Sequence, residues 1–177
     1  MQPNESWTGI AKTALGVAAV RALESRRPDR LFDDPYAQAF LDAAPPVLPE
    51  EPRTAGERAS LGPLASLGAV FAFHGVIRTR FFDDDLLAAC RGGCRQVVVL
   101  AAGLDTRAYR LAWPAGTHLF EVDLPDVLRF KGQVLAQETA VPRCAHTIVA
   151  ADLREDWSAE LTNAGFQATT ATAWLAE

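Results

Sequence analysis

Gln96-Val-Val-Val-Leu-Ala-Ala-Gly-Leu-Asp105 is the stretch on which the fold turns. Residues 96–101 are nearly all apolar and show no polar alternation. Such a short run suits a strand buried on both faces of a parallel sheet. Gly103 follows where the chain must turn tightly and let its backbone approach a neighbour. Asp105 then stands at the mouth of the next segment. A buried strand running into a glycine and an acid reads as the opening of a βαβ unit.

The same grammar repeats downstream. Thr117-His-Leu-Phe-Glu-Val-Asp123 reads as a second strand ending in acids, and Pro125 opens a helix to about Gln137. Cys144 to Ala150 reads as a third strand that runs into Ala151-Asp152. Asp156 to Ala164 reads as a short helix closed by Gly165, and Thr172 to Glu177 as a fourth strand. Alternating strands and helices predict right-handed crossovers and a doubly wound α/β sheet of Rossmann-like type. Ligands of such sheets sit outside the carboxyl ends of the strands, which is where Gly103, Asp105, Glu121, Asp123, Asp152 and Glu177 fall.

Upstream the pattern is helical. Residues 10–42 place Ile10, Leu15, Val17, Ala18, Ala19, Ala22 and Leu23 on an apolar side and leave Lys12, Arg21 and Glu24 for solvent. Asp34-Pro35 reads as a cap and first-turn proline opening a helix from Tyr36. Pro45 to Pro52 reads as a stiff connector. Residues 57–90 are helix-like, carry Phe71, Phe73, Ile77, Phe81, Leu86 and Leu87, and end at Gly92-Gly93. The expected division is an N-terminal helical cap, residues 1–92, and a Rossmann-like portion, residues 93–177.

Composition narrows the function. The 177 residues are 49% hydrophobic and 22% charged, which fits one globular domain. A net charge of −5 argues against a nucleic-acid partner, because phosphate binding wants a basic face. The longest apolar stretch, Val97 to Leu104, is far short of the ~20 residues that span a bilayer. No signal peptide is legible at the N-terminus, and Cys90, Cys94 and Cys144 form no disulfide framework, so the expected address is the cytoplasm. Those cysteines also lack a Cys-x-x-Cys pair, His118 and His146 sit within apolar strands, and no metal site is expected. His74 reads as a packed helical histidine. No Gly-x-Ser-x-Gly elbow is present.

The strand ends point to a cofactor. Asp123 lies 20 residues after Gly103, the usual spacing for a carboxylate that grips ribose hydroxyls. A dinucleotide would want Gly-x-Gly-x-x-Gly and a helix start free of negative charge, whereas this loop supplies one glycine and Asp105. S-adenosyl-L-methionine, which brings an ammonium and a sulfonium, suits the loop better. Its carboxylate would need a cation, and Arg78 and Arg80 stand just ahead of the first strand. Each position also has a plain structural use, as loop glycine or helix cap. The rival readings are a nucleotide-dependent oxidoreductase and a non-catalytic cofactor-binding fragment.

Arg78-Thr-Arg-Phe-Phe-Asp-Asp84, Val97 to Leu111 with its Ala-Gly-Leu-Asp-Thr-Arg-Ala-Tyr-Arg-Leu run, Phe120-Glu-Val-Asp-Leu-Pro125, Asp152-Leu-Arg154 and Thr172-Ala-Trp-Leu-Ala-Glu177 resemble the leucine carboxyl methyltransferase-like family. The likeness is greatest to its bacterial branch of S-adenosylmethionine-dependent O-methyltransferases. The resemblance implies that Arg78 clamps the methionine carboxylate, with Arg80 as the fallback. It implies that Gly103 passes under the methionine moiety and that Asp123 binds the ribose, with Glu121 its neighbour. Asp152 and Leu153 would hold the adenine, and Glu177 would lie near the amino-acid end. The implied acceptor is a carboxylate or hydroxyl of a small molecule, or a protein C-terminal carboxylate. No catalytic residue is assigned. Family members often begin the loop Gly-Ala-Gly, where this chain has Ala101-Ala102-Gly103. Their chains also normally continue past Trp-Leu-Ala-Glu. The resemblance therefore implies that this chain corresponds to the N-terminal part of such an enzyme, with an open sheet edge, lowered stability and impaired activity by itself.

Overall fold

A computed structural model describes residues 5–44 and 62–177, with side chains from 13–44 and 70–177. Four parallel strands form one sheet. They are β1 (Gln96–Leu100), β2 (His118–Asp123), β3 (Ala145–Ala150) and β4 (Thr172–Ala176), in spatial order β3-β2-β1-β4. The first three strands step outward to one side and β4 pairs on the other flank of β1, with Val98 opposite both Phe120 and Trp174. The winding direction thus reverses between β1 and β4, which opens a crevice over the strand ends there.

Burial explains the apolar run. Val97, Val98 and Val99 are each 2% exposed or less. Val97, Val99, Leu119 and Leu175 pack with Leu15, Ala18, Phe40 and Val134 on one face. Val98, Phe120, Val122 and Val149 pack with Leu161 on the other. The helices are α1 (Glu5–Ser25), α2 (Ala37–Ala43), α3 (Gly62–Arg91), α4 (Arg107–Arg110), α5 (Pro125–Gln137) and α6 (Trp157–Asn163). Pro125 opens α5 as read, and α3 ends at Gly92-Gly93, where Gly93 has φ +117° and Cys94 N–H returns to the Ala89 carbonyl. Among the described residues no helix is long and apolar enough to cross a membrane. The three cysteines are free.

Several expectations are corrected. The second helix within residues 10–42 is present as read, but α1 stops early, at Ser25, and a loop precedes α2. Arg21 and Glu24 do not face solvent; each is 5% exposed, whereas Leu23, between them in sequence, points outward. The loop after α1 folds back over its end, so the polar side of the helix meets protein instead of water. Arg21 donates to Asp34 at 2.6 Å and to the Leu104 carbonyl at 2.7 Å, while Glu24 accepts the Leu31 N–H. Asp34 does not occupy the cap position of α2, which Tyr36 takes; the Asp34 carboxylate receives both the Tyr36 N–H and Arg21. Phe71, Phe73, Ile77 and Phe81 are exposed along α3, and His74 is exposed, not packed. The Lys12 and Ile10 side chains and the Pro45–Pro52 connector lie outside the described residues.

Glu121 is also corrected. It points back under the sheet, fully buried, and takes an ion pair from Lys131 of α5 at 2.6 Å, with His146 Nε2 3.2 Å away. Only Asp123, two residues on, clears the sheet edge. Removing one member of a buried pair strands the other charge at a cost of about 3–5 kcal/mol, whereas replacing both by apolar groups is often neutral. Lys131→Met should therefore lower the unfolding free energy by roughly that amount, and adding Glu121→Leu should recover most of it. Urea unfolding of both variants checks this, and a double variant no better than the single one contradicts it.

Candidate functional site

A cavity of about 570 Å³ lies over the carboxyl ends of the strands. β1 leads into it through Ala101–Asp105, β2 through Asp123 and Leu124, β3 through Ala151–Arg154, and β4 through Glu177. Thr13, Ala14, Val17 and Arg21 of α1 and Arg78 and Thr79 of α3 close the opposite side. Arg78, Gly103, Asp123, Asp152, Leu153 and Glu177 all line this one cavity. Arg80 does not. It is exposed, pairs with Asp84 at 2.7 Å and donates to the Leu31 carbonyl, because it leaves α3 on the face away from the strand ends.

Gly103 has φ +52°, a left-handed conformation that glycine adopts without penalty. Its N–H donates to Asp123 Oδ2 at 2.5 Å, and Asp123 Oδ1 accepts the Leu124 N–H at 2.6 Å. The carboxylate is thereby fixed at both oxygens while each keeps a further lone pair. Ala101, also at the cavity, has φ +51°. A Cβ is strained in that region by about 1–2 kcal/mol.

Asp105 does not present a free charge, as the sequence reading supposed. It forms an ion pair with Arg107 and accepts the Arg107 N–H at 2.6 Å. Burial raises the Asp105 carboxyl, but the charges of Arg107, Lys131, Arg21 and Arg110 outweigh it and hold the group below the usual carboxylate range. Arg107 also reaches Asp83 at 2.8 Å and Glu177 at 3.1 Å, and Arg110 closes on Asp83 with two contacts at 2.5 and 2.7 Å. Burial lowers Arg107, yet Asp105, Asp83 and Glu177 together raise it above its ordinary value. Arg78 Nε meets Glu177 Oε1 at 2.9 Å. At the other end of the cavity, Arg154 folds onto Asp152 at 2.5 Å, and this hydrogen bond lowers the Asp152 carboxyl to about 2.

The sequence reading missed Arg21, Asp34, Asp83, Thr106 and Arg107. Thr106 Oγ1 donates to Asp34 at 2.7 Å and accepts from Arg21 at 3.1 Å, anchoring the loop after β1 to α1. The Asp-Thr-Arg spacing at 105–107 was visible, but its partners lie elsewhere in the chain. Among the described residues no cluster of His, Cys, Asp and Glu could hold a metal ion.

Fold and cavity together define a doubly wound α/β protein with a cavity at the carboxyl edge of its sheet. Residues 14–177 match the family model described as leucine carboxyl methyltransferase. The chain belongs to that family. It is 57% identical over 169 residues to a protein of Parafrankia sp. (strain EAN1pec), covering 96% of this chain and 53% of that protein. It is 52% identical to one from Frankia alni, covering 96% and 58%, and 47% identical to one from Saccharopolyspora erythraea, covering 100% and 60%. All three carry the name "Putative S-adenosyl-L-methionine-dependent methyltransferase". The chain thus spans between half and two thirds of the length of these relatives.

The Asp105 environment sets a pH dependence. Its folded pKa is lowered, so its contribution is full above the unfolded value of about 3.9 and is lost as pH falls from there toward the folded one. The unfolding free energy should decline on acidification below about pH 5. Asp105→Asn should be less stable at neutral pH and show a shallower acid limb in chemical denaturation between about pH 2 and pH 7. An unchanged slope contradicts the pairing.

Proposed function

We propose that the chain binds S-adenosyl-L-methionine in this cavity and forms the cofactor half of an O-methyltransferase. The acceptor is a carboxylate or hydroxyl of a small molecule, or a protein C-terminal carboxylate. One observation carries the reading. Six side chains or turns between residues 78 and 177, each expected from the sequence to touch one cofactor, line a single cavity. Five arginines and four carboxylates border it, close to charge balance, so both ends of a zwitterionic amino-acid group can find a partner of opposite sign.

The residues fit the cofactor in order. Asp123 has lone pairs left for two ribose hydroxyls after accepting its two N–H groups. Asp152 accepts from the adenine amine, and Leu153 supplies an apolar wall beside the ring. Gly103 passes under the methionine moiety. Arg78 clamps the methionine carboxylate, and Glu177, held between Arg78 and Arg107, lies near its ammonium. Within the N-terminal helical portion, residues 1–92, it is α1 and α3 that close the side opposite the strand ends.

When bound, the cofactor supplies a methyl group activated by sulfonium. The chain's own contribution is orientation and exclusion of water. A carboxylate acceptor is ionised at neutral pH and needs no base; a hydroxyl acceptor does. A dinucleotide oxidoreductase fits less well, because the loop N–H groups of Ala102, Gly103, Asp105 and Arg107 are all donating within the protein and leave little cradle for phosphates.

Isothermal titration should show binding of S-adenosyl-L-methionine and none of NAD. Asp123→Ala should weaken that binding about 100-fold or more, while circular dichroism confirms the fold. NAD binding, or unchanged affinity in the variant, contradicts the assignment.

A further inference from the structure

Beside the first cavity lies a second, of about 320 Å³, between α1 and α3. Thr13, Val17, Arg78 and Thr79 border both. The two spaces are therefore neighbours across the side chain that the proposed function gives to the methionine carboxylate. Val20 of α1 and Phe71 of α3 add apolar wall, and His74 places an imidazole on the lining.

Two helix-interior glycines face this space, and they differ. A Cβ on Gly75 would sit 3.3 Å from Val20 Cγ1, so Gly75 lies where the two helices approach closely. A Cβ on Gly16 would meet nothing within 4 Å. A glycine inside a helix costs roughly 0.5–1 kcal/mol relative to alanine. No close packing accounts for that cost at Gly16, which borders the second cavity.

The lining also has a charge sense. Among the described residues it includes Arg78 and His74 but no carboxylate. It therefore favours an acceptor that is neutral or anionic and disfavours an amine. Its volume is at the small end of ligand pockets, enough for about one ring with short substituents.

We infer that the space between α1 and α3 is the acceptor subsite and takes a single aromatic ring bearing an acidic oxygen, a phenol or a carboxylate. The inference rests on the cofactor reading above. The oxygen lone pair forms the new bond to the methyl carbon as the carbon–sulfur bond breaks. The electron pair of that bond returns to sulfur, leaving the neutral thioether S-adenosyl-L-homocysteine. A phenol gives its proton to the His74 imidazole on the lining. A carboxylate has none to give.

The test is calorimetric titration of the whole chain. It is first titrated with S-adenosyl-L-homocysteine, then, once saturated, with 4-hydroxybenzoate, salicylate and the amine tyramine. At least one of the two acids should bind and tyramine should not. Gly16→Leu, which fills only the second cavity, should weaken binding of that acid at least about tenfold while the affinity for S-adenosyl-L-homocysteine stays within about twofold. Phe71→Ala, at a position 73% exposed and so safe for folding, should weaken acid binding in the same sense. Nucleoside binding without acid binding overturns the subsite alone. So does acid binding that both variants leave unchanged, or tyramine binding as well as the acids. Absence of nucleoside binding overturns the cofactor reading and this inference with it.

Discussion

The Arg107 guanidinium touches three carboxylates from three separate parts of the chain. Asp83 comes from α3, Asp105 from the loop after β1, and Glu177 from beyond β4. Its side chain is 3% exposed. Burying such charges costs desolvation energy that attraction alone scarcely offsets, so the cluster is better understood as fixing geometry than as adding stability. It joins the long helix, the turn after β1 and the end of β4 at one point, and the Arg78–Glu177 pair adds a second tie between the helix and β4. Asp83 is itself shared with Arg110, which holds the short α4 helix in the same arrangement.

A second anchor works on the opposite side. Arg21 binds the Leu104 carbonyl, Thr106 and Asp34 at once, so α1 is fastened to the turn after β1 by polar contacts as well as by Leu15 and Ala18 in the core. The cavity wall supplied by α1 and α3 is thereby set in a fixed relation to the strand ends. Rigid supports of this kind place functional groups better than loops do.

Much of this was legible in the sequence, for physical reasons that differ by element. The valine run of β1 could be read because burial on both faces removes polar alternation, and Pro125 and Gly93 because their backbone preferences are local. Gly103 and Asp123 could be paired because strand, crossover and strand have nearly fixed lengths. The charged network was not legible. Arg21 and Glu24 lie on a helix whose polar side normally meets water, and only a loop folding back from beyond the helix buries them. Arg107 and Asp83 are 24 residues apart, and no local period links them. Glu121 and Asp123 looked alike because alternate residues of a strand share a face; the height of each relative to the sheet edge separates them, and a sequence does not carry that height.

The bond from the Gly103 amide to Asp123 has one more implication. The carboxylate meets any incoming ligand with an amide already on one oxygen and another on its partner. A ligand that draws electron density from this group changes the amide's own bond, so occupancy at the second strand is felt in the backbone beyond the first. The Gly103 proton is thus a natural spectroscopic reporter, a resonance whose position registers whether the neighbouring strand end is engaged.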